Sequence, residues 1–154
     1  MKPRLNADQA APEIMRAMGE FDDRVRQSGL EPLLLELVKT RASQLNGCAY
    51  CLHLHTAEAR ALGESEERLY LLDAWRESPL YSPRERAALA WTEALTLIAR
   101  SHAPDEVYAE ARRHFSEAEL VKLSIAIGLI NAWNRLAVGF RQVHPTTTRP
   151  AEQE

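Results

Sequence analysis

Helical periodicity is the strongest constraint on this chain. Apolar residues recur at three- and four-residue spacing almost throughout, glycines and prolines fall between those segments, and no stretch alternates for long as a strand would. An all-α fold is therefore expected. Helices are predicted over 8–27, 31–45, 48–62, 65–75, 82–99, 104–115 and 116–142. Pro12 fits only the first turn of the first helix, so that helix starts at Ala10 or Ala11 if Pro12 is inside it. Ser82-Pro-Arg-Glu85 and Ser116-Glu-Ala-Glu119 each place a hydroxyl cap three residues before a glutamate, the signature of a capping box.

At 154 residues the chain suits one domain, expected over 1–143, followed by a polar and flexible tail over 144–154. The formal net charge of −3 and the absence of any basic block argue against nucleic acid or an anionic membrane as partner. The first fifteen residues lack the apolar run of a secretion signal. The longest apolar run, Leu123 to Ala132, is too short to span a bilayer. A cytoplasmic location follows as the expectation. The segment from Leu123 to Phe140 is apolar around nearly its whole circumference, which calls for burial on more than one side: by a central place in a monomer, or by the domain's own core together with a second subunit, the reading favoured here.

The only two cysteines, Cys48 and Cys51, lie three residues apart, too close to staple a fold, and cytoplasmic thiols are kept reduced. Their spacing points to redox chemistry or to metal binding. On a helix, Cys51 lies about 60° from Cys48, and His55 falls between them. Leu52, Ala59 and Leu62 share that face, whereas His53 points about 140° away from Cys48 and is expected to be exposed. Placement after Asn46-Gly47 puts both sulfurs in the first turn, where unpaired N–H groups and the helix dipole favour a thiolate. His55 is placed to accept the proton of Cys51 and then stabilise the anion. The second sulfur can resolve a sulfenic acid into a disulfide. Zinc held by the cysteines, His55 and Glu36 is the competing reading, as is a pair of inert core cysteines.

The run from Glu36 through Leu-Val-Lys-Thr-Arg-Ala-Ser-Gln-Leu-Asn-Gly-Cys-Ala-Tyr-Cys-Leu-His-Leu-His55, with its Glu-x11-Cys-x-x-Cys-x-x-x-His spacing, resembles the AhpD-like alkylhydroperoxidases of the carboxymuconolactone decarboxylase superfamily. The likeness continues through Ala57 to Leu69 and Glu85 to Thr96, and returns at Ile130 to Leu136. The resemblance implies an all-α fold, a homo-oligomer (trimer or hexamer), no cofactor, and a peroxide substrate reduced through a Cys48–Cys51 disulfide. It also implies His55 as proton acceptor, Glu36 as the carboxylate that orients it or relays protons, and a dithiol reductant, either a lipoylated carrier or a thioredoxin-like protein. Cys51 is then the sulfur activated by His55 and Cys48 its partner, although spacing alone leaves the order of attack open. The alternatives are a lactone decarboxylase, as in the superfamily's namesake, and a non-enzymatic redox sensor or zinc-binding oligomer. Two departures stand out. Tyr50 occupies the position before the second cysteine where the best-known members carry histidine, and only one copy of the motif is present.

Glu36 is the least secure of these residues when read from its own helix. Leu34, Val38, Ala42 and Leu45 form an apolar stripe, and Glu36 projects almost opposite, as on a solvated face. Arg41 lies within the apolar arc and Glu93 in an apolar helix, so each needs a counter-ion: the other, or Arg135. Trp75, Trp91 and Trp133 are expected in the core, and Asn131 and Asn134 to satisfy backbone or inter-subunit hydrogen bonds.

Overall fold

The computed structural model describes residues 2–146. Nine α-helices and one 3₁₀ turn make up the secondary structure of the described residues. They are α1 (Ala7–Ala10), α2 (Pro12–Arg26), α3 (Pro32–Asn46), α4 (Ala49–Ala61), α5 (Glu66–Leu71), α6 (Pro83–Thr96), α7 (Ile98–Ser101), α8 (Asp105–His114) and α9 (Glu117–Phe140), with the 3₁₀ turn Leu72–Ala74 after α5. The all-α expectation holds, but two of the predicted helices are each divided. Pro12 lacks an N–H and takes the first position of α2, which breaks the chain at Ala11. The helix from Ser82 stops at Thr96, and the chain bends at Leu97 before the single turn of α7. Both predicted capping boxes are formed, by Ser82 with Glu85 and by Ser116 with Glu119. Of the predicted tail, 144–146 are described and carry no helix, and 147–154 lie outside the described residues.

α3 is the hub. It packs on α4, α6 and α9, and every residue from Leu34 to Ser43 is buried. Leu34, Leu35 and Val38 join Trp91, Phe115, Leu123 and Ile127 in the main core, while Leu37 joins Leu72, Trp75 and Leu89 in a second cluster. Being buried all round overturns the solvated reading of Glu36, which is 3% exposed. Its face is covered by α4 and by Asp22 and Arg26 of α2. Arg41 Nε donates to Glu93 Oε1 at 2.9 Å, so these two are each other's counter-ions, and Arg41 also reaches Asp73. Arg135 instead donates to the Asn131 carbonyl at 2.8 Å.

α9 corrects the expectation that no segment could span a bilayer: by length and composition alone it could cross a membrane. Its contacts with α2, α3, α4, α6 and α8 make it a core helix of this fold. Asn46 Nδ2 donates to Asn131 Oδ1 and Asn134 Oδ1, both at 2.9 Å, and Asn134 Nδ2 donates to Ser43 Oγ at 3.0 Å. This buried amide network pins the C-terminal end of α3 to α9, directly under the segment carrying the cysteines.

Candidate active site

Gly47 closes α3 in the left-handed region (φ +63°), and its N–H and that of Cys48 return to the carbonyls of Gln44 and Ser43. The chain then turns straight into α4 with Cys48 at the N-cap rather than inside the first turn as predicted. A cap side chain must accept a hydrogen bond from the open end of its helix. Here the acceptor is sulfur: Cys51 N–H donates to Cys48 Sγ at 3.3 Å. Both thiols are unbridged and buried, Cys48 at 1% and Cys51 at 4% exposure.

The two sulfurs are electrostatically unequal. The thiol of Cys51 donates to Cys48, the Cys51 N–H and the Asn134 amide add to it, and the charge of His55 helps, so together they outweigh burial and push Cys48 down to about 6. Cys51, which holds the shared proton and faces the Cys48 anion, is pushed strongly up. The resting negative charge therefore sits on Cys48, the reverse of what proximity of Cys51 to His55 suggests from sequence.

His55 lies on the same face of α4, as the spacing predicts, and is buried. Its Nδ1 donates to Glu36 Oε2 at 2.8 Å and lies 3.3 Å from Glu58 Oε2. Burial pulls its pKa down, but hydrogen bonds to Glu36 and Glu58 outweigh it, and the ring is held protonated above its ordinary 6.5. Glu58 is pushed down to about 2, chiefly by its bond from His55 and then by Arg26. Arg26 donates to Asp22 at 2.8 Å and Glu58 at 3.0 Å and lies 3.5 Å from Glu36, while the buried Lys39 donates to Glu36 at 3.3 Å. Three carboxylates (Asp22, Glu36, Glu58) thus meet three cations (Arg26, Lys39, His55).

The site residues named from sequence come together: Cys48 and Cys51 at the start of α4, His55 one turn on, and Glu36 on its ring. The sequence reading missed Glu58, Arg26, Lys39 and Asp22. Glu58 and Lys39 left a local signal, their i+3 spacing from His55 and from Glu36. The zinc set of two cysteines, His55 and Glu36 does not assemble. Among the described residues the group with metal-like spacing is Glu36, His55 and Glu58, with ligand atoms within 4.8 Å. Arg26 and Lys39 already neutralise those carboxylates, so a divalent ion would have to displace the His55 proton and sit beside two further cations.

A cavity of about 810 Å³ opens onto Cys51, His55 and Glu58, and also touches Tyr50 and Trp133. Cys48 does not line it. Trp75 and Trp91 are core residues as expected, but Trp133 is only partly buried and forms cavity wall. Leu62, expected on the buried face, is 51% exposed because α4 ends at Ala61, whereas His53 is exposed as predicted and stacks on His144.

Residues 12–94 match the carboxymuconolactone decarboxylase family. An uncharacterized protein of Bacillus subtilis, YdfG, is 43% identical over 138 residues, covering 90% of this chain and 94% of its own. The crystal structure of a protein of unknown function from Agrobacterium tumefaciens, suggested to be the antioxidant defence protein AhpD, superposes with a TM-score of 0.92 at 48% identity. It covers 94% of this chain and 99% of its own. The AhpD core of an uncharacterized peroxidase-related protein from Ralstonia eutropha shares the fold, with a TM-score of 0.79 at 19% identity over 90% of this chain and 74% of that one. On these matches the chain belongs to the carboxymuconolactone decarboxylase family, in its AhpD-like branch.

Proposed function

We propose that this chain reduces hydroperoxides through a reversible Cys48–Cys51 disulfide. The observation that carries the reading is the placement of the sulfurs: Cys51 borders the cavity beside a protonated His55, and Cys48 lies behind it as the stabilised thiolate. A hydroperoxide in the cavity meets Cys51. As Cys51 attacks the terminal peroxide oxygen it passes its proton to Cys48. The O–O bond breaks, Cys51 becomes a sulfenic acid, and the departing alkoxide takes a proton from His55 to leave as an alcohol. The Cys48 thiol then attacks the Cys51 sulfur and expels water, so two thiols are oxidised and one peroxide is reduced.

His55 acts here as cation and proton donor, and Glu36 fixes its ring from a sealed position. The dithiol reductant implied by the resemblance, lipoylated or thioredoxin-like, returns the disulfide to the dithiol, and a cytoplasmic location suits that cycle. Lactone decarboxylation would leave both sulfurs without a role.

Hydroperoxide consumption with a dithiol reductant tests the proposal. Cys51→Ser should abolish turnover. Cys48→Ser should also stop turnover, but should retain one slow oxidation that leaves a trappable sulfenic acid on Cys51. Undiminished turnover in Cys51→Ser overturns the reading.

A further inference from the structure

The cavity walls differ in character, and the difference bears on which peroxides can use the site. On α9, Trp133, Leu136, Ala137 and Phe140 present a continuous apolar stripe at i, i+3, i+4 and i+7. That stripe is about 10 Å long at the helical rise. It begins beside Cys51, because Ala137 and Trp133 pack against the cysteine cluster. The opposite wall, on α2, passes from Met15 and Gly19 to Asp22, Asp23 and Arg26.

Four carboxylates line the cavity, those of Asp8, Asp22, Asp23 and Glu58, against two cations, Arg26 and His55. Both cations are already matched by protein carboxylates. Arg26 spends its donors on Asp22 and Glu58 and lies 3.5 Å from Glu36, and His55 is held by Glu36 and Glu58. Asp8 and Asp23 make no ion pair among the described residues. Arg4, between the lining residues Pro3 and Leu5, turns its guanidinium to the Gly139 carbonyl at 3.0 Å. An anionic group along this passage meets a lining in which carboxylates outnumber cations.

We infer that the cavity selects by charge and shape, taking uncharged hydroperoxides with an aliphatic or aromatic body about 10 Å long and rejecting carboxylated ones. The body lies along Trp133 to Phe140, which brings the peroxide group to Cys51. This inference rests on the peroxidase reading above and adds the substrate class to it.

The test is the rate at which the reduced, full-length protein is oxidised by three probes: cumene hydroperoxide, its para-carboxylate derivative and hydrogen peroxide. Cumene hydroperoxide should be fastest, and the carboxylate slower than it by about tenfold or more at neutral pH. Asp23→Lys should narrow that gap. Phe140→Ser should slow cumene hydroperoxide more than hydrogen peroxide. A carboxylate reacting as fast as cumene hydroperoxide overturns the selectivity while the peroxidase reading stands. So does a pair of variants that alters neither ratio. Inertness toward all three probes, with both thiols still titratable, overturns both.

Discussion

His55 sets the working pH of the site, and what sets His55 is the pair of carboxylates on its Nδ1. With Glu36 and Glu58 in place the ring stays protonated above its ordinary range, while Cys48 loses its proton near pH 6. The reactive form needs an anionic cysteine pair and a cationic His55. Oxidation by peroxide should therefore rise as pH passes about 6 and fall once His55 deprotonates, giving a bell. Glu58→Gln should move only the alkaline limb to lower pH, and Glu58→Asp should restore part of it. An alkaline limb unmoved in Glu58→Gln would mean that Glu58 is structural. The linkage to stability has opposite signs for the two groups. Cys48 titrates lower in the folded chain than in the unfolded one, so its contribution is present above the ordinary thiol range near 9 and is lost as pH falls toward 6. His55 titrates higher when folded, so its contribution is present below 6.5 and is lost as pH rises through the folded value. Denaturant midpoints of wild type and Cys48→Ser, measured from pH 6 to 9, should converge at the acid end.

Helix ends decide where these side chains stand, and two of them occupy the same backbone conformation with different residues. Gly47 at φ +63° ends α3, and Arg141 at φ +55° ends α9. A side chain in that region costs about 1–2 kcal/mol. Gly47→Ala should thus lower stability by about 1 kcal/mol, although a methyl there meets no atom within 4 Å, because the strain is in the backbone. Arg141→Gly should raise stability by up to about 1 kcal/mol, less what the helix C-terminus loses with the cation. Thermal unfolding of both variants checks the pair, and equal signs would refute the account. These ends also show how much the sequence could disclose. Asn46-Gly47, Pro12 and the two Ser-x-x-Glu boxes carry their conformations in local chemistry, and the helices they bound follow from them. The i, i+3, i+7 spacing likewise puts Cys48, Cys51 and His55 on one face. Glu36 was illegible for the opposite reason. The stripe on α3 shows which side is apolar but not that α2 and α4 will cover the other, and only that covering turns an exposed carboxylate into the partner of His55. Arg26 was hidden in the same way, and so was the burial of Lys39. The break at Leu97 has no proline or glycine to announce it.

α9 raises the remaining question at the scale of the whole molecule. Less than half of its most apolar window is buried by its own chain. Its outer side carries Val121 at 59% and Ile125 at 41% exposure, with Gly128 on the same side, where an added Cβ would meet nothing within 4 Å. Beside Val121 and Ile125 a shallow cleft continues the apolar surface onto Tyr108 and Trp91. Large exposed apolar residues aligned on one helix are costly in water, and a small residue among them lets another helix approach closely. The cleft carries one charge of each sign, Arg112 and Glu117, around an apolar centre, which lets it pair with a second copy of itself. The trimer or hexamer implied by the resemblance is thus expected to form through this side of α9. Light scattering on the purified protein should give a mass that is a multiple of 17.4 kDa. Ile125→Asp should shift that mass toward the monomer without altering the single-turnover reaction of the thiols with hydrogen peroxide. A wild-type monomer at micromolar concentration would show that α9 tolerates its exposed stripe unaided. An Ile125→Asp oligomer of unchanged mass would move the contact to another face.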